Sequence, residues 1–443
     1  MAGRLSFKGG VHPLSSMHHG KHLTQDRPIM ACSVPEEVII PLSQHTGAPS
    51  KPVVSPGDRV DMGQLIAQAE GFVSVPCYSS VSGTVKEIAR RPHISGVLSQ
   101  SIVITNDFED RLSKDIKSKG SLESLSPKQI IDMIKDAGIV GLGGAAFPTH
   151  VKLSPPPDKK IDTLIINGAE CEPYLTADHR IMLEHPEKVV LGVKAVMKAL
   201  GVANAVIAIE DNKKDAIAAI RKASSGINVA TLKVKYPQGA EKQLIYAVTK
   251  RRVPSGKLPM DVGVVVVNVG TAYQIALTLE TGMPLIERVV TVTGSVKQPS
   301  NFLVRIGTPL SHVIEQAGGF VGDIEKVIAG GPMMGIAQSN LNAPVIKGTS
   351  GILVLSTSEA RMMEESPCIY CGRCVDVCPM GLEPYLLNNY AAKGDFEAAE
   401  KRHVMDCMEC GGCTYICPAH RYLTQRIKLA KSEIAKRRKK AAK

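Results

Sequence analysis

The sequence predicts a multidomain protein that joins β modules and a parallel α/β domain to a small α-helical domain near its carboxyl end. Three observations support this fold class. The chain has 443 residues, and an ordinary domain has only about 100 to 200. Apolar β-type segments alternate with helical patterns in the middle of the chain, and eight of its eleven cysteines fall in two short runs near the end.

The middle of the chain, residues 161–279, has the pattern of a Rossmann-like parallel sheet. Four segments, IDTLIIN, ANAVIAIE, INVATLKVKY and VGVVVVNVG, are each followed by a helical pattern. Strands that alternate with helices predict a parallel sheet covered by helices on both faces. Because ligands of such sheets bind at the carboxyl ends of the strands, we expect binding residues in the segments that follow.

A glycine-rich segment before this sheet, GLGGAAFPTHVK, is a candidate phosphate-binding loop. It superficially fits a dinucleotide fingerprint, but the residues before it have helical periodicity and Pro148 interrupts the helix that should follow. Its glycines still let backbone N–H groups approach an anion, and Lys152 can add a positive charge. On these residues alone, a loop without a ligand is the alternative.

Polar side chains follow three of the predicted strands. The segment NGAECEPYLTADHR places Asn167, Glu170 and Glu172 after the first strand, and YPQGAE and NVGT follow two later strands. Since all lie at carboxyl ends of parallel strands, we expect them to converge on one edge of the sheet. Asn and Glu there can bond a flavin ring or ribose hydroxyls, and helix capping is the alternative for any one of them.

The two cysteine runs are CIYCGRCVDVCP and CMECGGCTYICP. Each has the C-x2-C-x2-C-x3-C-P spacing with which bacterial ferredoxins bind [4Fe–4S] clusters, and in paired runs the fourth cysteine ligates the other cluster. Structural zinc usually takes two C-x2-C pairs separated by a longer insert, so the spacing disfavours zinc. We therefore predict two clusters, one on Cys368, Cys371, Cys374 and Cys417, and the other on Cys407, Cys410, Cys413 and Cys378.

Together these segments resemble the C subunits of Rnf electron-transport complexes, and the middle of the chain is similar to the NADH-oxidising flavoprotein of respiratory complex I. The resemblance spans nearly the whole chain and includes GGVHP, LSQHTGAPSKPVVSPGDRV, the glycine-rich segment and both cysteine runs in order. It implies that FMN binds to Gly141, Gly143, Gly144, Lys152, Asn167, Glu170, Asn268 and Thr271. It also implies that Phe147, Glu172 and Glu241 lie near the nicotinamide nucleotide. Tyr236 and Gly239, in the segment YPQGAE, are further candidates for cofactor binding.

The resemblance also suggests a modular order. Short predicted strands in residues 36–110 look like a lipoyl-type barrel-sandwich, although no acceptor lysine stands at the expected hairpin tip. The segment VVTVTGSVKQPSNFLVRIGTPLSHVIEQAGG resembles the β-grasp (SLBB-type) module of this family. The predicted units are an extension (1–35), the barrel-sandwich (36–110), a linker (111–127), the FMN/NADH domain (128–286), the β-grasp module (287–355), the two-cluster domain (356–427) and a basic tail (428–443).

This family resemblance implies a redox function. NADH would exchange hydride with FMN, and two [4Fe–4S] clusters would pass single electrons to integral-membrane subunits and a ferredoxin-like subunit of an Na⁺- or H⁺-translocating complex. The chemistry would belong to the cofactors, so no general acid or nucleophile is expected in the protein. The chain would lie peripherally on the cytoplasmic side of the membrane, because we predict neither a secretion signal nor a membrane-spanning helix.

The positive charge is concentrated at the carboxyl end. Residues 421–443 contain ten Lys or Arg and one Glu, against a net charge of +11 for the whole chain. This segment has no aromatic residues suited to base stacking, so we expect it to contact solvent, an acidic partner or an anionic membrane face and not nucleic acid. The early histidines, His12, His18, His19 and His22, fit a solvated loop better than a metal site.

Three other functions are compatible with the sequence. A corrin reductase of the propanediol-utilisation type has the same order of domains. A protein that acts only as a relay or scaffold could retain the clusters but have lost its nucleotide. An iron–sulfur protein could also bind nucleic acid through its basic tail.

Overall fold

A computed structural model describes residues 4–12, 18–360 and 363–441, without the side chains of residues 18, 19 and 441. In this described part, strands form four sheets and five α-helices follow the last strand. Short 3-10 helices occupy His18–Leu23, Leu122–Ser124, Pro259–Val262 and Val404–Asp406.

The amino-terminal β module consists of two small antiparallel sheets, with strand orders β2-β8-β7-β4 and β3-β5-β6. Alternate side chains of these strands point between the sheets, and Val38, Ile40, Ile66 and Ile104 are fully buried there. The first eight strands are β1 (Ile29–Ala31), β2 (Glu37–Pro41), β3 (Lys51–Pro52), β4 (Arg59–Val60), β5 (Leu65–Gln68), β6 (Cys77–Tyr78), β7 (Gly83–Pro92) and β8 (Leu98–Asn106).

The α/β domain contains a four-stranded parallel sheet with the order β11-β10-β9-β12. Its strands bury apolar side chains on both faces, as helices on both sides of a parallel sheet require. The strands are β9 (Thr163–Gly168), β10 (Ala205–Glu210), β11 (Asn228–Leu232) and β12 (Val264–Asn268). The helices are α1 (Pro127–Asp136), α2 (Thr149–Lys152), α3 (Ala177–Glu184), α4 (Pro186–Leu200), α5 (Lys214–Ala223), α6 (Glu241–Thr249) and α7 (Val269–Thr281).

Strand β11 is shorter than the segment INVATLKVKY predicted. It ends at Leu232 because the following residues pair with the amino-terminal segment instead of β10. Lys233 N donates to Leu5 O at 2.9 Å, and Tyr236 N donates to Val11 O at 2.9 Å. The amino-terminal residues are therefore part of the α/β domain's edge.

The β-grasp module has a six-stranded sheet with the order β1-β14-β13-β17-β15-β16. Strand β1, which precedes the barrel-sandwich in sequence, pairs in parallel with β14. The predicted extension (1–35) thus contributes to more than one module. The other elements are β13 (Glu287–Gly294), β14 (Ser300–Arg305), α8 (Leu310–Gln316), β15 (Ile324–Ala329), β16 (Ile336–Ala337) and β17 (Gly351–Ser356).

The carboxyl-terminal domain is helical, and its last helix extends into the predicted basic tail. Ile427, Ala430 and Ile434 of this helix are buried against Leu387, whereas residues 436–440 are exposed. The helices are α9 (Arg373–Asp376), α10 (Pro384–Ala392), α11 (Phe396–Lys401), α12 (Gly412–Tyr415) and α13 (Leu423–Ala441). None of the helices in the described part is long and apolar enough to span a bilayer.

The observed modules confirm the predicted fold class, with β modules on either side of a parallel α/β domain and a helical domain last. The apolar stretch 189–209 consists of helix α4 followed by strand β10.

Candidate functional site

The glycine loop, residues 141–147, is held by two hydrogen bonds that its own backbone N–H groups donate. Gly141 N donates to Phe147 O at 2.9 Å, and Leu142 N donates to Thr271 Oγ1 at 2.9 Å. The next three residues of the loop, Gly143, Gly144 and Ala145, are exposed, and their N–H groups have no acceptor among the described residues. Such free N–H groups are suited to bind an anion such as a phosphate.

Gly144 gives the loop its shape. Its φ is +111°, a backbone conformation that favours glycine, and no atom lies within 4 Å of the position that a Cβ would occupy. A ligand can therefore approach the backbone closely at this residue.

Three modules hold the glycine loop in place. Thr46 of the barrel-sandwich donates its hydroxyl to Ala145 O at 3.2 Å, and Thr271 belongs to helix α7. Arg288 of strand β13 donates to Leu142 O at 3.3 Å and also to Lys347 O. Burial lowers the pKa of the Arg288 guanidinium to about 10. Sequence reasoning missed Arg288, although an arginine within the apolar run LIERVVTV was a usable signal.

The carboxyl edge of the sheet brings Asn167 and Asn268 side by side, because the two residues pair in register across β9 and β12. Asn268 Oδ1 accepts from Gly270 N at 2.9 Å and caps α7, while its Nδ2 donates to Asp178 Oδ2 at 2.7 Å. Asn167 Nδ2 donates to Gly239 O at 2.8 Å. The predicted convergence is observed for these two residues, and the capping alternative holds for Asn268 as well.

Glu170 is also a capping residue. Its carboxylate accepts from Asp178 N at 2.7 Å and His179 N at 3.2 Å, at the start of α3. Asp178 lies next to it, and burial together with the Glu170 charge raises the pKa of the Asp178 carboxyl. This edge of the sheet therefore combines free N–H groups on the loop with carboxyl groups near the helix start.

Lys152 and Glu241 form an ion pair, with 2.7 Å between Nζ and Oε1. Lys152 also donates to Val266 O at 3.2 Å. The two residues are each about one-third exposed, at 31% and 36%. The structure thus joins a residue predicted for FMN to one predicted for the nicotinamide nucleotide.

Glu172, Tyr236 and Gly239 lie at the junction with other modules. The Glu172 carboxylate accepts from Met333 N at 3.1 Å and Met334 N at 2.9 Å in the β-grasp module, and burial raises its pKa to about 7. The Tyr236 hydroxyl donates to Cys410 O at 2.7 Å, and Gly239 N donates to Cys171 Sγ at 3.3 Å. The contacts of these three residues are separate from those of the glycine loop. Phe147, the last residue of that loop, is half-buried.

A buried lysine that the sequence analysis did not identify supports this acidic segment. Lys21 donates its Nζ to Glu170 O and Glu172 O, both at 2.9 Å, and to Leu175 O. Its residue exposure is 4%, and burial lowers its pKa to about 8. The polar segment GKHLTQ gave no signal that its lysine is buried.

Four cysteines surround one cavity in the helical domain. The cavity has a volume of about 360 Å³, and its lining includes Cys368, Cys371, Cys374 and Cys417. These are the four residues predicted to share one cluster, and we call them the cavity site. A cavity with thiols around it fits a cluster of several atoms, since cysteine thiolates bind such clusters from the outside.

The other four cysteines are also close together. Burial raises the pKa of the Cys410 thiol to about 12, and Cys413, Cys407 and Cys378 raise it further by their charge. Backbone N–H groups already point at two of the sulfurs, since Leu382 N donates to Cys378 Sγ at 3.3 Å and Glu409 N to Cys407 Sγ at 3.4 Å. We call Cys378, Cys407, Cys410 and Cys413 the junction site.

No group of three or more His, Cys, Asp or Glu side chains in the described part is arranged around a single metal ion. His12 and His22 lie within that part, whereas the side chains of His18 and His19 lie outside it.

Curated relatives match almost the entire chain. The sequence is 51% identical over 439 residues to the C subunit of the Na⁺-translocating ferredoxin:NAD⁺ oxidoreductase complex of Acetobacterium woodii, covering 98% of both chains. It is 51% identical to the C subunit of the proton-translocating complex of Clostridium ljungdahlii, covering 97% of this chain and 94% of the relative. The chain belongs to this C-subunit family. A Rhodobacter capsulatus member, the C subunit of an ion-translocating oxidoreductase complex, is 41% identical over 98% of this chain and 84% of its own length.

Family models match four regions of the chain. The RnfC barrel sandwich hybrid domain matches residues 5–109, and the Nuo51 FMN-binding domain matches 134–277. The SLBB domain matches 289–337, and a 4Fe-4S dicluster domain matches 362–418. The chain therefore has an FMN-binding domain and an iron–sulfur domain within an oxidoreductase family, and these matches do not support the corrin-reductase or relay alternatives.

Solved structures add support for the fold. The H2-reduced form of an NAD⁺-reducing [NiFe]-hydrogenase matches with a TM-score of 0.51 and 18% identity, covering 74% of this chain and 69% of that chain. The air-oxidised form matches with a TM-score of 0.51 and 18% identity, covering 71% and 67%. The domain order of this chain is thus compatible with a fold found in a different redox enzyme.

Proposed function

We propose that this protein exchanges hydride with NADH at FMN and relays single electrons through two [4Fe–4S] clusters to the membrane subunits of an ion-translocating complex. The observation that carries the proposal is the cavity site, where the four cysteines predicted for one cluster line one cavity. A second set of four cysteines lies close to it: burial raises the pKa of the Cys374 thiol, and the charges of Cys413, from the second set, and Cys417, from the cavity site, raise it as well. Adjacent clusters suit the transfer of single electrons.

The glycine loop is the proposed phosphate end of the FMN site. The free N–H groups of Gly143, Gly144 and Ala145 can donate to phosphate oxygens. Gly141 and Thr271 fix the shape of the loop. FMN, when bound, would accept two electrons as hydride and release them one at a time.

The sheet edge supplies the other proposed contacts. Asn167, Glu170 and Asn268 lie there at the ends of strands β9 and β12 or just after them. Lys152 can contribute positive charge to a phosphate only if it leaves Glu241, so we propose that binding of FMN or NADH rearranges this ion pair. Phe147, Glu172, Tyr236 and Gly239 complete the residues predicted for the cofactors.

We further propose that the protein lies peripherally on the cytoplasmic side of the membrane, next to integral-membrane subunits and a ferredoxin-like subunit. The names of the Acetobacterium woodii and Clostridium ljungdahlii relatives place those proteins in Na⁺- and proton-translocating complexes, respectively. Residues 436–440 of helix α13 are exposed and mostly basic, so this end can contact acidic partners or anionic lipid. We do not assign it to nucleic acid, since it lacks aromatic residues for base stacking.

Anaerobic reconstitution of the full-length chain with iron, sulfide and FMN tests this function. Stopped-flow mixing with NADH is expected to bleach the flavin first and the cluster absorbance afterwards. A Lys152→Ala variant should bleach at least about tenfold more slowly, because a charged contact is lost. The control is Lys194→Ala, which removes an exposed lysine of α4. Equal bleaching rates in the two variants would place the nucleotide elsewhere, and clusters that stay oxidised would contradict the relay.

A further inference from the structure

Tyr236 lies where the α/β domain meets the junction site. Its ring is only 1% exposed and packs with Val11 and Cys410 in a small apolar cluster. Its hydroxyl donates to the backbone carbonyl of Cys410 at 2.7 Å. Tyr236 is therefore hydrogen-bonded to the backbone of Cys410, a predicted cluster ligand, although the sequence suggested that Tyr236 contacts a cofactor of the flavin site.

Two further hydrogen bonds join the junction site to the α/β domain and to the amino-terminal segment. Gln243 of helix α6 donates its Nε2 to Pro379 O at 3.2 Å, and Gly10 N donates to Val377 O at 2.8 Å. Val377 and Pro379 flank Cys378, which is a second residue of the junction site. Both cysteine runs thus contribute a junction-site residue whose surroundings are fixed by the α/β domain or the amino-terminal segment.

The cavity site has different surroundings. All residues that line its cavity lie between Cys368 and Leu423, inside the helical domain. Ile369 and Tyr370 at its rim are 66% and 73% exposed, and Cys371 is exposed too. This site is therefore open to solvent, whereas the junction site is in contact with the α/β domain and the amino-terminal segment.

We propose that the two predicted clusters act in a fixed order, with the junction site next to the flavin and the cavity site as the outer terminus. We also propose that Tyr236 is a positioning residue that orients the junction cluster through the Cys410 carbonyl. This order rests on the proposed function. Cys378, Cys407, Cys410 and Cys413 would hold the cluster that takes each electron from reduced FMN, and Cys368, Cys371, Cys374 and Cys417 would hold the cluster that passes it to a one-electron acceptor outside the chain.

The hydroxyl of Tyr236 also tunes the junction cluster electrostatically. Its donated hydrogen places the positive end of the O–H dipole beside a ligand of the cluster, which favours the reduced and more negative state. Hydrogen bonding and burial around cluster ligands are among the factors that set reduction potentials. Removing this hydroxyl should therefore lower the potential of the junction cluster alone.

A redox titration of the Tyr236→Phe protein, reconstituted as the full chain with iron and sulfide and followed by electron paramagnetic resonance, tests the role of Tyr236. One cluster should titrate at a lower potential than in the wild type, and the other should be unchanged. The matched control is Tyr246→Phe, whose ring contacts Lys250 and Arg252 on helix α6 and the residues after it. This control should move neither cluster.

A Cys368→Ala/Cys371→Ala background assigns the affected cluster, since it retains only the junction site. The Tyr236→Phe shift must persist there. A shift in both clusters, in neither, or only in the cavity cluster would overturn the proposal. The titration requires neither NADH nor FMN, so its failure differs from a failure of the proposed function.

Photoreduction of bound FMN by light and EDTA tests, without NADH, whether the junction cluster is reduced before the cavity cluster. This test does not use the Tyr236→Phe protein, so it remains valid even if that variant does not take up iron. In the Cys368→Ala/Cys371→Ala protein the remaining cluster should be reduced at the wild-type rate. In a Cys407→Ala/Cys410→Ala protein, reduction of the cavity cluster should slow by about tenfold or more. The reverse pattern, or equal rates in both variants, would overturn the order.

Discussion

The glycine loop and the two cysteine sites differ in how far apart along the chain their contributing residues lie. In each cysteine run, three predicted ligands fall within seven residues, and only the fourth comes from the other run. The glycine loop instead depends on Thr46, Thr271 and Arg288, which belong to three different modules. The predicted cluster ligands therefore follow from spacing in the sequence, whereas the loop is held by contacts that exist only in the assembled fold.

The largest expected effect is the loss of one cluster without any loss of FMN from the glycine loop. A Cys368→Ala/Cys371→Ala protein should lose one cluster, so its iron content should fall from about eight to about four atoms per chain. FMN content should stay unchanged, because no residue of the glycine loop contacts the cavity. Iron analysis and flavin absorbance of the reconstituted protein measure both quantities. Cys32→Ala, which alters a cysteine outside both runs, is the control, and loss of FMN together with iron would show that the regions depend on each other.

The reverse experiment disturbs the loop through its buried support. Arg288→Met leaves Leu142 O and Lys347 O without a donor, and each unpaired buried group costs about 1–3 kcal/mol. We expect FMN affinity to fall by about tenfold or more, since the loop loses its fixed shape. Flavin fluorescence titration measures the affinity, and iron analysis should give the wild-type content.

Arg288→Lys is the matched variant because it keeps a buried positive charge but has fewer donors in a different geometry. Its FMN affinity should lie between those of the wild type and Arg288→Met. An Arg288→Met protein with normal FMN affinity would mean that the loop is supported locally, as the cluster ligands are.

The contrast also explains which features were predictable from the sequence. The cysteine sets followed from spacing, and Asn167 and Asn268 followed from the rule that parallel strands end at a common edge. Lys21 and Arg288 were missed because acceptor carbonyls of each lie far away in the sequence: Glu172 O is 151 residues from Lys21, and Leu142 O is 146 residues from Arg288. The sequence suggested Tyr236 as a cofactor-binding residue, but the pairing of its segment with Val11 instead of β10 could not be read from the strand-like composition.

Lys21 provides a pH-dependent test of such a distant support. Burial lowers its pKa from 10.5 to about 8, so between these values the unfolded chain binds more protons than the folded chain. The contribution of Lys21 to the free energy of unfolding should therefore increase as pH rises from 8 to 10.5, by about 2–3 kcal/mol. The measurement compares denaturant unfolding of wild type and Lys21→Met at both pH values. A pH-independent difference between the two proteins would mean that Lys21 titrates normally in the folded chain.

The smallest expected effect tests the loop backbone itself. Gly144→Ala should destabilise the loop by about 1 kcal/mol, because alanine is strained at the positive φ of this residue. FMN affinity should fall by about fivefold, since a 1 kcal/mol cost in the binding conformation corresponds to that factor. Gly141→Ala is the matched control: its φ lies outside the left-handed region, and an added Cβ would lie 3.7 Å from Phe147 O, an ordinary contact. Equal FMN affinities for the two variants in a fluorescence titration would mean that the close backbone approach at Gly144 is not used by the ligand, and the phosphate would then have to bind away from the loop.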